Sequence, residues 1–380
     1  MKSDLFDKFL RYYEIPFNKD PAILEESENS LNNILNSFII LNTQEMKNEI
    51  DHFRTRLSEF RNSFSCFDVM LFECFESLQN YNPENIQKFR TIEPYLEYFE
   101  PDEKALICFC RGLFIKHNPE FTDCFHEECN RWLQKALILS DGKRIADLPA
   151  IIKYNQAYSV GMTAGFYQGI RLLEEARFLF QRTCNLNRIT GCLNNESILL
   201  LYSGFYEAAI ERLKGILSHS ETVHFAAASQ AASDNLVLAY ILHSDYDLAL
   251  DLIEKCNTES KLLSNRFLAP YCLYRLSKPK EALRKIANSD RNSMENEDVF
   301  LFKLIRAVIR KDRRAIRNVV HPFLTRLSSQ YNWGILFIFL QILCTYFEEE
   351  ADFKNLSVVQ KALLNARDHI FPKELDLDFS

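Results

Sequence analysis

The chain reads as an all-α protein made of helical hairpins in series. Three observations predict this. First, one joint recurs. Gly204-Phe205-Tyr206-Glu207-Ala208-Ala209 links two apolar helical runs, Ser244-Asp245-Tyr246-Asp247-Leu248-Ala249 does so again, and Ser277-Lys278-Pro279-Lys280-Glu281-Ala282 does so a third time. Second, the 380 residues include only 9 Gly and 11 Pro, too few for a turn-rich fold. Third, apolar residues recur at helical spacing, as in Ile50, Phe53, Leu57 and Phe60, and no strand-like alternation of useful length appears. A small turn residue, then an aromatic or Pro, then Ala is a signature of tetratricopeptide-type repeats. One hairpin cannot bury its apolar face alone, so neighbours must stack. The expected architecture is a right-handed superhelix with a concave face.

In chain order, residues 4–13 read as a short amphipathic helix with Leu5, Phe6, Phe9 and Leu10 on one side, ended by Pro16 and Pro21. Ala22 to Leu41 reads as a helix, and Thr43 as the N-cap of the next, which runs to Arg61. Phe67 to Leu78 is apolar nearly all round and reads as buried. Pro83 opens a segment that Pro94 and Pro101 divide, Asn118-Pro119 opens a helix to Leu139, and Asp141-Gly142 marks a turn. Leu148–Ala164 and Phe166–Asn185 form a hairpin whose joint, Gly165-Phe166-Tyr167-Gln168, matches Gly204-Phe205-Tyr206-Glu207, with Ile170 where later joints have Ala. After the polar turn Asp290–Ser293 comes a helix from Asp298 to Arg310. Ala315 continues the register set by Ala282, and Trp333–Phe347 with Lys354–His369 make a last hairpin. Ala209, Ala249, Ala282 and Ala315 are expected where paired helices touch, since a larger side chain there would push them apart. Residues 1–140 are assigned to an N-terminal helical region and 141–380 to the repeat domain.

Composition excludes several functions. A formal net charge of −7 argues against broad electrostatic binding to nucleic acid. The best basic cluster, Arg310-Lys311-Asp312-Arg313-Arg314 with Arg317, reads as a solvated turn between helices. The start of the chain has no signal-peptide core. The longest apolar stretch, Gly334 to Phe347, is too short to span a bilayer. Eleven scattered cysteines suggest reduced thiols and a cytoplasmic protein.

No phosphate-binding Gly-rich loop, nucleophile elbow or His-Glu-x-x-His motif is present, so no enzyme is expected. Cys108-Phe109-Cys110 with Cys124, His126 and Cys129 resembles a metal cluster, but these spacings diverge on helices. Buried thiols are expected instead, with no metal, cofactor or catalytic residue. The polar residues of the first helices are the binding candidates. Asn155, Gln156, Asn195, Gln230 and Asn235, with Asn194, carry amides that can pair with the donor and acceptor of an extended peptide backbone. Tyr158, Tyr271 and Tyr274, with Tyr240, add apolar contact with a polar tip. The competing reading makes all of them ordinary packing or surface residues.

The joints at 165–170, 204–209, 244–249 and 277–282, with the segment Leu5-Phe6-Asp7-Lys8-Phe9-Leu10-Arg11-Tyr12-Tyr13-Glu14-Ile15-Pro16-Phe17, resemble the sensor portion of the peptide-responsive regulators of the Rgg, PlcR and Rap type. The resemblance implies that residues 22–140 are early repeats whose joints have lost the pattern. It also implies a short signalling peptide held on the concave face, and a homodimer. The helix-turn-helix domain of the DNA-binding members needs several dozen residues before Leu5 and only four precede it, so direct nucleic-acid binding is not expected, and the chain reads as a sensor without that domain or as a truncated form of a DNA-binding member. The chain is thus expected to be a cytoplasmic sensor that binds a short peptide and acts on a protein partner, away from the membrane. The alternative is a constitutive protein–protein scaffold without a small ligand.

Overall fold

The computed structural model describes residues 8, 10–14, 16–80, 82–118, 125–142, 145–223, 226–258, 267–288, 296–330, 333–367 and 375–378. Leu5, Phe6, Phe9, Cys124, His224 and the turn at 290–293 lie outside these residues. Helices carry the whole fold. Among the described residues the β pairing is a single isolated bridge, Asn18 to Ser63. Two compact units divide the chain, Met1–Ser159 with Glu174–Ile189, and Val160–Leu173 with Thr190–Ser380.

The first unit begins with α1 (Pro21–Ile40), α2 (Thr43–Thr55), α3 (Leu57–Arg61) and α4 (Cys66–Asn80). Next come α5 (Ile86–Ile92), α6 (Pro101–Lys116) and α7 (Phe125–Leu139). Aromatic rings fill its core. Phe53 stacks on Phe72 with centroids 4.2 Å apart, and Phe38 meets Phe75 edge-on at 5.1 Å. Asn42, not Thr43, caps α2, its side chain accepting from the Glu45 N–H. The helix expected to run to Arg61 breaks at Arg56 (φ −103°, ψ 2°), whose guanidinium pairs with Glu26 and Glu59. Pro101 starts α6 as its first residue, where its missing N–H costs nothing. Asn118 closes α6 rather than opening α7, its Nδ2 donating to the Phe114 carbonyl.

Asp102, buried in the first turn of α6, ties down the following loop. Its carboxylate accepts from the N–H groups of Asp141, Gly142 and Ile145 and from the Ser140 hydroxyl, all at 3.0–3.1 Å. A buried carboxylate persists only when such donors replace water. The C-terminus of α1 is closed in the same manner. Arg188 donates to the carbonyls of Phe38 and Ile39, and Asn187 to that of Ile40. A cation is favoured there by the helix dipole.

The repeats follow as α8 (Leu148–Ala164), α9 (Phe166–Arg182), α10 (Leu186–Tyr202), α11 (Tyr206–Val223), α12 (Ala226–His243) and α13 (Tyr246–Thr258). They continue as α14 (Ala269–Arg275), α15 (Pro279–Ala287), α16 (Asn296–Ile309), α17 (Arg313–Gln330), α18 (Trp333–Glu349) and α19 (Phe353–Arg367). One joint recurs between helices. A residue in the left-handed region ends the first helix: Leu41, Cys184, Gly204, Ser244, Ser277, Lys311 and Ala351, with φ from 52° to 85°. The next N–H reaches back five residues: Asn42 to Ser37, Asn185 to Phe180, Phe205 to Leu200, Asp245 to Tyr240, Lys278 to Leu273, Asp312 to Ala307 and Asp352 to Phe347, at 2.8–3.0 Å. This is the Schellman arrangement, which satisfies carbonyls that a helix end leaves open. From Gly204 to Ala351 it closes the first helix of each successive hairpin.

These joints correct the sequence register at two places. The residue whose N–H bonds the N-cap carbonyl four positions back is Ala209, Ala249 and Ala282 in three joints, all fully buried. In the next it is Ile316, also fully buried, and Ala315 is only half-buried beside it. Around Gly165 the Gly169 N–H bonds the Gly165 carbonyl, so Gly165 takes the place of Phe205 and Gly169 that of Ala209. The small residue is therefore one position earlier than Ile170. Gly161 faces it: a Cβ there would lie 3.2 Å from a Leu199 methyl and 3.9 Å from the Gly169 Cα. The basic cluster at 310–314 is a joint, with Lys311 paired to Glu350 and Arg313 to Asp352.

Candidate functional site

In the second unit α10 and α12 lie side by side and share a polar strip. The Asn235 amide on α12 donates to the Asn194 side-chain oxygen on α10 at 3.0 Å. Both are half-buried, as is Asn195 beside them. One turn earlier on α12, Gln230 donates to Asp234 at 3.4 Å. Stacking of first helices brings Asn194 and Asn235 together one position out of register, since the joints Gly204 and Ser244 make Asn195 the counterpart of Asn235. In this pair one donor meets one acceptor, so the Asn194 amine and the Asn235 carbonyl take no part in it. Glu196, fully buried on α10, turns away from this strip and pairs with Arg212 of α11 within its own hairpin.

Towards the C-terminal ends of the same first helices the face is covered. A stripe of α18 with one member per helical turn crosses them in sequence. Phe337 stacks on Tyr202 at the end of α10, with ring centroids 5.4 Å apart. Gln341 donates to the carbonyls of Ile241 and Leu242 at the end of α12, at 3.4 and 3.5 Å. Thr345 meets the Tyr271 hydroxyl at 3.2 Å, and Glu349 accepts from Tyr274 and Arg275 of α14. Behind it, Arg367 of α19 donates to the Tyr206 hydroxyl at 2.8 Å. Tyr271 is thus completely enclosed, and burial pushes its hydroxyl pKa up, with Tyr246 adding to the rise. Tyr274 is held by α18. Tyr240 lies under Lys214 of α11, 5.6 Å from its ring centre.

The remaining candidates belong to the first unit. Asn155 donates to the Ile151 carbonyl of its own helix at 2.9 Å. Gln156, almost fully buried, donates to Gln134 of α7 at 3.3 Å. Tyr158 sits beneath Lys116, whose ammonium is 5.1 Å from the ring centre, and beside His126. Burial pushes the Tyr158 pKa up to about 12 and the Lys116 pKa down. Burial, then the Lys116 charge, takes His126 down to about 4. Burial likewise raises the thiols of Cys108, Cys110 and Cys129, with the Cys129 sulfur 3.6 Å from the Ser159 hydroxyl. Among the described residues no group of three His, Cys, Asp or Glu side chains is placed to hold a metal ion. No helix among them is long and apolar enough to cross a membrane.

The amides stand out in sequence as polar residues of first helices, and the α18 stripe does not. Its residues are ordinary members of a buried helix. Their partners on α10, α12 and α14 lie two or more hairpins back along the chain, beyond any local pattern.

No protein-family profile matches the chain, and no curated protein matches its sequence. Solved structures match its fold. A Rap protein complexed with Competence and Sporulation Factor superposes with a TM-score of 0.71 at 13% identity, over 92% of this chain and 100% of that one. The apo form of RapI gives 0.67 at 16% identity, over 90% and 98%. The apo form of the quorum sensor NprR from B. thuringiensis gives 0.61 at 13% identity, over 90% and 99%, and NprR is also known in complex with its cognate peptide NprX. The fold is therefore the helical-repeat fold that these Rap and NprR structures share.

Proposed function

We propose that this protein is a cytoplasmic regulatory sensor that binds a short extended peptide on the α10–α12 strip and passes its occupancy to a protein partner. The observation that carries this reading is the Asn194–Asn235 pair. It joins side-chain amides of adjacent first helices, both half-buried. Such amides match the alternating donors and acceptors of an extended backbone. That neighbours of the same fold are solved with Competence and Sporulation Factor and with the peptide NprX supports a peptide as the ligand. Buried thiols such as Cys74, Cys110 and Cys272 support a reducing compartment. Ligand energy changes an output only if the two states of the protein bind it differently. The α18 stripe, which closes the other end of the same helices, is the element whose seating a peptide on the strip would alter.

The test is calorimetry with a peptide recovered from the purified protein by mass spectrometry, or selected from a pool of short synthetic peptides. Asn235→Ala is expected to weaken binding by about 1–3 kcal/mol, roughly one to two decades in Kd, because a backbone group of the ligand loses its partner. The melting temperature of the free protein should stay nearly unchanged, since the residue is half-exposed. Affinity unaltered by Asn235→Ala would remove the strip from the site. Absence of saturable peptide binding would favour a constitutive scaffold.

A further inference from the structure

An Asn that reads an extended backbone is already seated elsewhere in the second unit. Asn355, in the first turn of α19, is 1% exposed. Its side-chain oxygen accepts from the Asp378 N–H at 2.7 Å, and its amine donates to the Asp378 carbonyl. The second amine hydrogen goes to Asp352 at 2.9 Å, and Asp352 also accepts from the Asn355 N–H and pairs with Arg313. Every hydrogen-bonding capacity that fixes the amide orientation is therefore used, and two of them face one residue of an extended segment. Lys354 adds a third contact, its ammonium 2.8 Å from the Asp378 carboxylate. Leu375–Asp378 is neither helix nor strand, and within it the Leu377 N–H donates to the Leu375 carbonyl at 2.9 Å.

We propose that Asn355 and Lys354, braced by Asp352 and Arg313, form a second peptide site. Its ligand class is an extended peptide carrying an acidic residue at the position that pairs with Asn355. Its resident occupant is this chain's own segment Leu375–Asp378. Recognition has two parts. The side-chain amide reads the backbone of one residue in both directions, which fixes register but is indifferent to side chain, and the ammonium selects a carboxylate on that same residue. A tethered segment competes with any free peptide through its high local concentration, so the site stays filled unless a ligand with more contacts displaces it. The inference is independent of the α10–α12 strip, which shares no residue with it.

Asp378→Pro tests this in the full chain. Proline has neither the N–H nor the carboxylate, so it removes both the bond to the Asn355 oxygen and the pairing with Lys354 without touching α19. Hydrogen exchange at Leu377 should then accelerate toward the rate of a free peptide. A fluorescein-labelled, amidated Leu-Asp-Leu-Asp peptide should bind the Asp378→Pro chain saturably, and about tenfold more tightly than wild type, where the resident segment competes. Adding Asn355→Ala should abolish that binding, and adding the exposed Lys354→Met should weaken it severalfold and remove its salt dependence. Asn235→Ala should leave it unchanged. Since Asn355→Ala can also loosen α19, circular dichroism must show it folded, and Lys354→Met carries the test if it is not. Exchange at Leu377 unaltered by Asp378→Pro would mean that the amide pair does not hold the segment. A labelled peptide that binds all variants alike, or fails to bind an Asp378→Pro chain whose segment has been released, would overturn the proposal.

Discussion

Single side chains in the first unit are set by what burial removes from water. His126 lies on α7 against Tyr158 and is 7% exposed, with its pKa drawn from the ordinary 6.5 to about 4 by burial and then by the Lys116 charge. A base held below its unfolded value binds fewer protons when folded, so its neutral form stabilises the protein fully above pH 6.5. That stability is lost as pH falls toward 4. The slope this one group adds inside the window is at most about 1.4 kcal/mol per pH unit. Urea unfolding between pH 4 and 7 should therefore show a shallower acid loss in His126→Leu than in wild type, and parallel curves would show that His126 is not the group that titrates. In sequence His126 looks like a metal ligand because it sits near Cys129. Nothing there reveals Lys116, which reaches the same place from α6 and lies under no shared pattern. Asn194 and Asn235 stand out in sequence only as polar residues of first helices; their pairing is one position off the register of the Gly204 and Ser244 joints, so the repeat alone does not give it.

At the level of elements, the joint explains why some hairpins announce themselves in sequence and others do not. The seven Schellman joints each put one residue in the left-handed region, where a Cβ costs roughly 1–2 kcal/mol, yet only one of the seven is Gly. A reader who looks for Gly or Ser finds Gly204, Ser244 and Ser277 and passes over Leu41, Cys184, Lys311 and Ala351. The same blindness displaces the register at Ala315, where Lys311 gives no signal and the buried residue is Ile316. It also predicts two changes of opposite sign. Ser277 is exposed with φ 60°, so Ser277→Gly should relieve the strain and stabilise by about 1 kcal/mol. Gly204→Ala should destabilise by at least as much, since φ is 85° and the new methyl would lie 3.4 Å from the Arg367 guanidinium carbon. Melting temperatures of the two variants test the pair, and a shift of the same sign in both would refute the common joint.

For the repeat unit as a whole, the question is whether stability is a sum over neighbours. A linear array of hairpins behaves that way: damage at one repeat reaches the next and fades. The hairpin pairing of the helices and most of their apolar faces were legible because they depend on contacts within about one repeat of sequence. The contacts of α18 were not, because they join the last hairpin to α10, α12 and α14 by side chains that look like any buried helix. They also make the unit non-linear. Phe337, 2% exposed, stacks on Tyr202, and the next three members of its stripe reach the ends of α12 and α14. Phe337→Ala should cost about 3–5 kcal/mol through lost burial and the cavity left behind. Its distribution is the informative part. In a nearest-neighbour array, amide exchange would accelerate in α18, α19 and α16 and remain as in wild type in α10. With the stripe coupling distant hairpins, the C-terminal turns of α10 and α12, around Tyr202 and Leu242, should open together with α18 and at comparable free energy. Hydrogen exchange resolved by peptide mass spectrometry separates these patterns. Protection of α10 that survives Phe337→Ala intact would return the unit to a simple chain of repeats.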